Sequence, residues 1–289
     1  MKILSRVLTY GRMIKFSHSV FALPFALTGA LLASLRTSIT GPHLFWIVVA
    51  MVGARSAAMG FNRLVDHRID TANPRTRTRE LPAGVISVPA VAAFIVLSSA
   101  VLVFAAYRLN PLCLVLSPVA LLIIFFYSFT KRFTWASHAF LGLSLSVAPI
   151  GAWIAVRGTL DPIVLLLGAA VLAWVAGFDI IYACQDYEFD LRSGLRSIPQ
   201  RLGLRRALIV ARLLHVVAFG LLLALKFVFG LNGLYLAGVL LVGVILIYEH
   251  RLVRHDDLSR LNAAFFTMNG ILSVTYFVFT LGDVMILKG

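Results

Sequence analysis

The chain has 289 residues, 60% of them hydrophobic and only 13% charged, with a net charge of +14 and a mean hydropathy of +0.94. A soluble domain carries about twice that share of charge, so composition points to an integral membrane protein. The positive excess then reports topology and contact with anionic lipid or substrate; nucleic acid, the usual partner of so basic a soluble chain, is not expected.

A span needs about 20 apolar residues. The first run, 14–35, has Lys2, Arg6, Arg12 and Lys15 before it or at its start. It is too long for a signal-peptide core and contains Pro24, so it reads as a retained first helix. Inside it, His18 is either a contact for a ligand headgroup or an ordinary hydrogen-bonded interfacial residue.

The second run, 44–62, ends in a polar loop, and its end carries Asn62, Asp66 and Asp70. That i, i+4, i+8 spacing puts three oxygen-bearing side chains on one helical face, drifting about 40° per step and rising roughly 12 Å. Ionisable groups at membrane depth usually mark a site. Arg55 lies one to two turns deeper on the same face. Arg63 and Arg68 are either ligands for anionic oxygen or loop charges that set topology.

Further runs follow at 88–108, 111–129, 137–156, 162–183, 206–229, 231–248 and 263–286, making nine in all. Turn signals at Gly41-Pro42, Asn110-Pro111, Asp161-Pro162 and Asn232-Gly233 separate them. Cys113 and Cys184 fall in or beside different runs and read as packing residues rather than a disulfide. Asn262 and Asn269, i and i+7, read as an interhelical hydrogen-bonding stripe.

The sixth run ends in a second acidic stretch. Asp179, Asp186 and Asp190 lie at i, i+7, i+11, and the Asp186/Asp190 pair follows Asp66/Asp70 by 120 residues with the same spacing. Each motif leads to a similar element, Arg79-Glu-Leu-Pro82 and Arg196-Ser-Ile-Pro199, so the chain contains an internal repeat of four spans. Of its 12 acidic residues, seven lie in these two regions. Basic residues concentrate in alternate loops, including both that carry the acidic motifs, and the positive-inside rule puts those loops in the cytoplasm. Four spans restore orientation, so the two halves form a parallel repeat.

Clustered carboxylates with an amide oxygen are hard ligands. Mg²⁺ prefers a few of them together with water and substrate phosphates. Basic side chains around them suit a metal-bridged diphosphate. A transporter using the carboxylates as cation sites is the alternative from another class. Against it, the acids gather at one membrane face rather than the midplane.

These residues resemble the signature motifs of the UbiA superfamily of intramembrane aromatic prenyltransferases. The similarity takes in Asn62-x-x-x-Asp66-x-x-x-Asp70, Asp179-x6-Asp186-x-x-x-Asp190, Tyr127-x-x-x-Lys131 and Arg79-Glu-Leu-Pro-Ala-Gly84. Where other members carry an acidic run, this chain has Asp186-Tyr-Glu-Phe-Asp190, which leaves the part of Glu188 open.

The resemblance implies an all-α integral membrane fold over 1–289 as a single domain: nine transmembrane helices in two four-helix repeats around a central cavity. It implies a multi-pass protein of the cell inner membrane with its active site on the cytoplasmic side. It implies transfer of a polyprenyl group from polyprenyl diphosphate to the ring of an aromatic acid, 4-hydroxybenzoate or a dihydroxynaphthoate, in ubiquinone or menaquinone biosynthesis. Haem O or chlorophyll synthesis is the variant within the superfamily. Mg²⁺ would be held by Asn62, Asp66, Asp70, Asp186 and Asp190. Tyr127 and Lys131 would hold the diphosphate, with Arg63 and Arg68 as further candidates. Phe61, Phe178 and Tyr182 are candidates to face the allylic cation. Arg55 either binds the acceptor carboxylate or pairs with Asp179. Asp179 is either the base for the ring proton or that partner.

Overall fold

The computed structural model describes residues 9–15 and 19–288, and among these the chain is helical with no strand. Eleven α-helices are numbered here in chain order: α1 Ser19–Ala33, α2 Gly41–Val65, α3 His67–Ala72, α4 Val88–Leu109, α5 Pro111–Thr130, α6 Ser137–Arg157, α7 Val164–Ala183, α8 Tyr187–Ser193, α9 Ile198–Phe229, α10 Gly233–Leu252 and α11 Asn269–Lys288. Eight are long and apolar enough to span a bilayer, and α1 is a shorter apolar helix. That matches the expected nine runs among the described residues. His18 lies outside them.

The ends of the helices follow from local chemistry. Thr40 caps α2 through the amide of His43, and the His43 side chain returns a contact to the cap. Ser87, Asn110 and Ser197 cap α4, α5 and α9, each with a proline in the first turn. A hydroxyl or amide oxygen there satisfies an otherwise orphaned N–H, and proline is tolerated where no N–H is required. Asn110 also donates to the carbonyls of Ile154 and Ala155, tying the α4–α5 hairpin to the end of α6.

Side chains such as Leu97, Val115, Leu122, Leu213, Val216, Phe227 and Met285 are exposed on the outside of the bundle. Lipid is the solvent that accepts such a surface. Inside, Trp153, Tyr235 and Tyr276 are fully buried. Small residues let backbones approach: a Cβ on Gly53 would lie 2.8 Å from the Leu102 amide nitrogen of α4.

The packing repeats. α2 lies along α4 as α7 lies along α9, and the hairpins α4–α5 and α9–α10 correspond. One pair breaks the symmetry: α6 and α7 pack along their length, whereas α1 and α2 make little contact. A large cavity opens beside α2.

Two expected boundaries shift, and the last span begins where expected but not as an α-helix. α2 does not run on through the first motif; it ends at Val65, and Asp66, with φ −87° and ψ 3°, separates it from α3. The backbone bonds Asp66 N–H to Asn62 O and Asp70 N–H to Asp66 O survive, so the three side chains still follow one another. α9 starts at Ile198 rather than 206, with a kink at Gly203 where φ is +77°. The last span begins with a π-helical segment, Ala263–Met268.

Candidate active site

A cavity of about 670 Å³ runs through the bundle. Along α2 and its end the wall carries a stripe of every fourth residue, Ala50, Ala54, Ala58, Asn62 and Asp66, beside a second one that includes Met51, Arg55, Met59 and Arg63. Small apolar residues give way to polar ones at the C-terminal end. From Ile47 to Asp66 the lined length of α2 is about 28 Å at the helical rise of 1.5 Å per residue, close to the hydrocarbon thickness of a bilayer. The body of the cavity is apolar, with Ile124 of α5 and Leu141, Leu145 and Ala148 of α6.

All five expected metal-binding residues line the polar end, together with Asp179, Tyr127, Lys131, Arg55, Arg63, Tyr182 and Phe178. The two acidic motifs therefore meet in one cavity from opposite halves. Asp66, Asp70 and Asp190 are 2, 4 and 8% exposed. Such carboxylates need partners.

Asp66 is held by Lys131 at 2.5 Å and Arg132 at 2.9 Å, and Asn62 donates to it at 3.1 Å. Arg79 donates to both oxygens of Asp70 at 2.8 Å, with Arg63 at 3.7 Å. Arg75, from the loop after α3, reaches across to the second half. Its Nε donates to Asp186 at 2.9 Å and its Nη1 to the Tyr182 hydroxyl at 3.2 Å. Asn73 also donates to Asp186. Ser197, the cap of α9, donates to Asp190 at 2.8 Å.

The repeated elements thus do equivalent work in different chemistry. In the first half Arg79 secures the second aspartate of the motif; in the second half Ser197 does.

Seven Lys or Arg residues and five Asp residues line the cavity. The excess is positive, and an anion complements such a surface. Burial opposes the charge on Arg75, but its hydrogen bonds to Asp186 and Tyr182 outweigh that and raise its pKa. Lys15 is different. Burial, then the charges of Arg63, Arg79 and Arg75, push its ammonium down to about 8.

Arg55 sits deeper. Its Nη2 donates to the Lys15 carbonyl at 3.3 Å, and its Nε is buried without a partner. The alternative that it pairs with Asp179 is not what forms: Asp179 is bonded to His138 of α6 at 2.7 Å.

Three expectations do not hold. Arg68 is exposed and away from the cavity, because it points opposite to the face that carries Asp66 and Asp70. Phe61 stacks on Phe125, with ring centroids 4.3 Å apart, and is not part of the cavity wall. Glu188, whose part the sequence left open, is exposed on α8 and does not join the wall. Asn262 is exposed, so the i, i+7 stripe with Asn269 does not form. Asn269 itself bonds across helices to Trp174 and Glu249. The π segment shifts the register between the two asparagines.

Lys15, Arg75, Arg79, His138 and Ser197 line the cavity and were not singled out as site residues from sequence, though Arg79 and Ser197 lie in the repeated element; Arg132 holds Asp66 from just outside. The Arg79 and Ser197 positions were signalled by the repeat. A single arginine such as Arg75, among 26 basic residues, carries no local signature.

Hard oxygen donors of this kind suit Mg²⁺. The donor set fits, but no three acidic, histidine or cysteine side chains among the described residues are close enough together to hold an ion. Asp66, Asp70 and Asp186 are closed by basic side chains instead, and Asp190 by the Ser197 hydroxyl.

Fold and cavity define the class first: an all-helical membrane enzyme with a polar site at one end of an apolar chamber. Residues 22–271 match the UbiA prenyltransferase family, and the chain belongs to that family; it is a prenyltransferase. It is 32% identical over 234 residues to a 4-hydroxybenzoate octaprenyltransferase of Vibrio atlanticus, covering 80% of this chain and 82% of that one. A UbiA homologue from Aeropyrum pernix K1, solved in its apo form, superposes with a TM-score of 0.83 at 33% identity, over 94% of this chain and 98% of the other. A UbiA homologue from Archaeoglobus fulgidus, bound to DMAPP and Mg²⁺, shares the fold with a TM-score of 0.73 at 20% identity, over 96% and 99%.

Proposed function

We propose that this prenyltransferase moves a polyprenyl group from polyprenyl diphosphate to the ring of an aromatic acid, 4-hydroxybenzoate or a dihydroxynaphthoate, within ubiquinone or menaquinone biosynthesis. One observation carries the reading. Two acidic motifs from opposite halves meet, ringed by basic side chains, at one end of an apolar chamber of bilayer depth. The relatives named for 4-hydroxybenzoate and the neighbour bound to DMAPP and Mg²⁺ agree with it. The whole chain acts as one domain in the cell inner membrane, with the polar end at the cytoplasmic face.

Asn62, Asp66, Asp70, Asp186 and Asp190 would hold Mg²⁺. When bound there, the ion supplies charge neutralisation for the leaving diphosphate. Lys131, Arg75, Arg63 and Lys15 bind phosphate oxygens, and Tyr127 and Tyr182 offer hydroxyls to the same group. The Ala50-Ala54-Ala58 stripe leaves room for the isoprenoid chain. The apolar chamber excludes water, which would quench an allylic cation. Phe178 and Tyr182 present ring faces toward it. Arg55 takes the carboxylate of the acceptor with the guanidinium that no Asp or Glu pairs among the described residues. Asp179 takes the ring proton.

Product mass tests the reading. Purified enzyme is incubated with Mg²⁺, defined prenyl diphosphates and a panel of acceptors: aromatic acids and a porphyrin. A prenylated 4-hydroxybenzoate or dihydroxynaphthoate is expected. Prenylation of a porphyrin alone would replace the acceptor, and no prenylated product with any acid would end the proposal.

A further inference from the structure

Asp179 and Asp190 are the two cavity aspartates that no Lys or Arg holds among the described residues. The partner of Asp179 is His138, on the first turn of α6, whose imidazole is 3% exposed while the carboxylate is 20% exposed. Both line the cavity.

We propose that His138 is a positioning residue for ring-proton removal: it holds the Asp179 carboxylate toward the cavity as the acceptor of that proton. The proposal rests on Asp179 as the base of the proposed reaction.

The argument begins with the tautomer. The backbone N–H of Ile198 donates to His138 Nε2 at 3.3 Å. A backbone amide nitrogen is only a donor, so Nε2 is an acceptor. A neutral imidazole that accepts at Nε2 carries its proton on Nδ1. That nitrogen lies 2.7 Å from Asp179 Oδ2. The imidazole therefore donates to the carboxylate, and its other nitrogen is engaged by the backbone. The ring has no lone pair to offer the substrate. It stands behind the carboxylate, and the carboxylate faces the chamber.

The anchor is well placed. Ile198 follows Ser197, whose hydroxyl donates to Asp190 at 2.8 Å. One turn at the start of α9 thus fixes a candidate metal ligand and, through His138, the base. A kink at Gly203 separates that turn from the rest of α9.

The step balances. The allylic C–O bond breaks and its electron pair leaves with the diphosphate. A ring π pair forms the new C–C bond. Asp179 takes the proton from the attacked carbon, and the C–H pair returns to the ring.

Three variants test it: His138→Asn, His138→Gln and Asp179→Asn. Asparagine sets an amide nitrogen near the place of Nδ1 and keeps the donor. Glutamine sets its amide near the place of Nε2 and keeps the bond to Ile198 but not the donor. Each is assayed for kcat, for both KM values, for thermal midpoint, and for a kinetic isotope effect with acceptor deuterated at the prenylated carbon.

The expectation for His138→Gln is a fall in kcat of roughly 10- to 100-fold, at or below the usual range for positioned acid–base groups, with both KM values within about twofold and a larger isotope effect. His138→Asn should keep most of the wild-type kcat. Asp179→Asn should lose at least as much as glutamine. If glutamine behaves as wild type while asparagine loses stability and activity, or if both lower the thermal midpoint together, His138 is structural and the proposal falls. A kcat that falls without any isotope effect also overturns it. Full turnover by Asp179→Asn removes the base and His138 with it while prenyl transfer stands. Absence of product from the wild type overturns the reaction itself, and this proposal as a consequence.

Discussion

At the scale of single residues, the cavity is governed by which charges have partners. Arg55 has no carboxylate partner among the described residues, and an unpaired guanidinium at membrane depth is costly. A carboxylate-bearing acceptor relieves that cost. Hydrogen bonds to charged groups contribute about 1.5–3 kcal/mol, so Arg55→Met should raise the acceptor KM by roughly 10- to 100-fold and leave the prenyl diphosphate KM near its wild-type value. Separate KM measurements decide; an unchanged acceptor KM would take Arg55 out of that role.

Lys15 carries a pH dependence. Its ammonium is pushed down to about 8, so it is charged below that pH and neutral above. The charged form attracts phosphate. Affinity for prenyl diphosphate should therefore be full below pH 8 and decline as pH rises through it. Lys15→Arg keeps the charge and should move the decline to higher pH in a profile of donor kcat/KM. An identical profile for both enzymes would assign the effect elsewhere.

At the scale of elements, short turns do the positioning. The first motif reads in sequence as one continuous helical face, and its three residues do reach one cavity. The break at Asp66 was not visible, because no Gly or Pro marks it. Asp66 accepts bonds from Lys131 and Arg132 at a distance of 65 and 66 residues in sequence, and that tertiary demand sets the turn. The second motif is divided likewise by the 3-10 turn Cys184–Asp186. The kink in α9 is the clearer case. Gly203 has φ +77° and ψ 162°, a region that is essentially glycine's own and costs other residues roughly 1–3 kcal/mol. Gly203→Ala should lower the thermal midpoint. It should also lower kcat, since it re-aims the turn that holds Asp190 and His138. Circular dichroism melts and kcat read the two effects together; a variant with unaltered kcat would uncouple the kink from the site.

At the scale of the whole molecule, the internal repeat explains what the sequence disclosed. Recurring motifs at equal spacing announced two halves, nine apolar runs and a shared site, and hydropathy alone placed the spans. The repeat signalled Arg79 and Ser197, but other partners of the carboxylates were not legible. Arg75 meets Asp186 across 111 residues, and His138 meets Asp179 across 41 residues. Such pairings belong to tertiary packing rather than to any local pattern. The departure from symmetry was hidden for the same reason: α1 separates from α2 where α6 and α7 stay packed, and hydropathy does not record which helices touch.

The shared site makes a prediction that only the intact pair of halves can meet. Asp66 comes from the first half and Asp190 from the second, and both line one cavity. If each helps to hold the same Mg²⁺–diphosphate assembly, neither half retains partial function without the other. Asp66→Ala and Asp190→Ala should each reduce turnover by at least about 1000-fold, the scale on which removing charge stabilisation from a reacting centre acts. The two losses should not multiply in the double variant, because groups acting as a unit are non-additive. Both proteins should remain folded in the membrane. Chelation of divalent metal should silence the wild type to the same level. Single-turnover rates for the two single variants, the double variant and the chelated enzyme test this directly. Losses that multiply would mean two independent sites, one per half, and the common assembly would be abandoned.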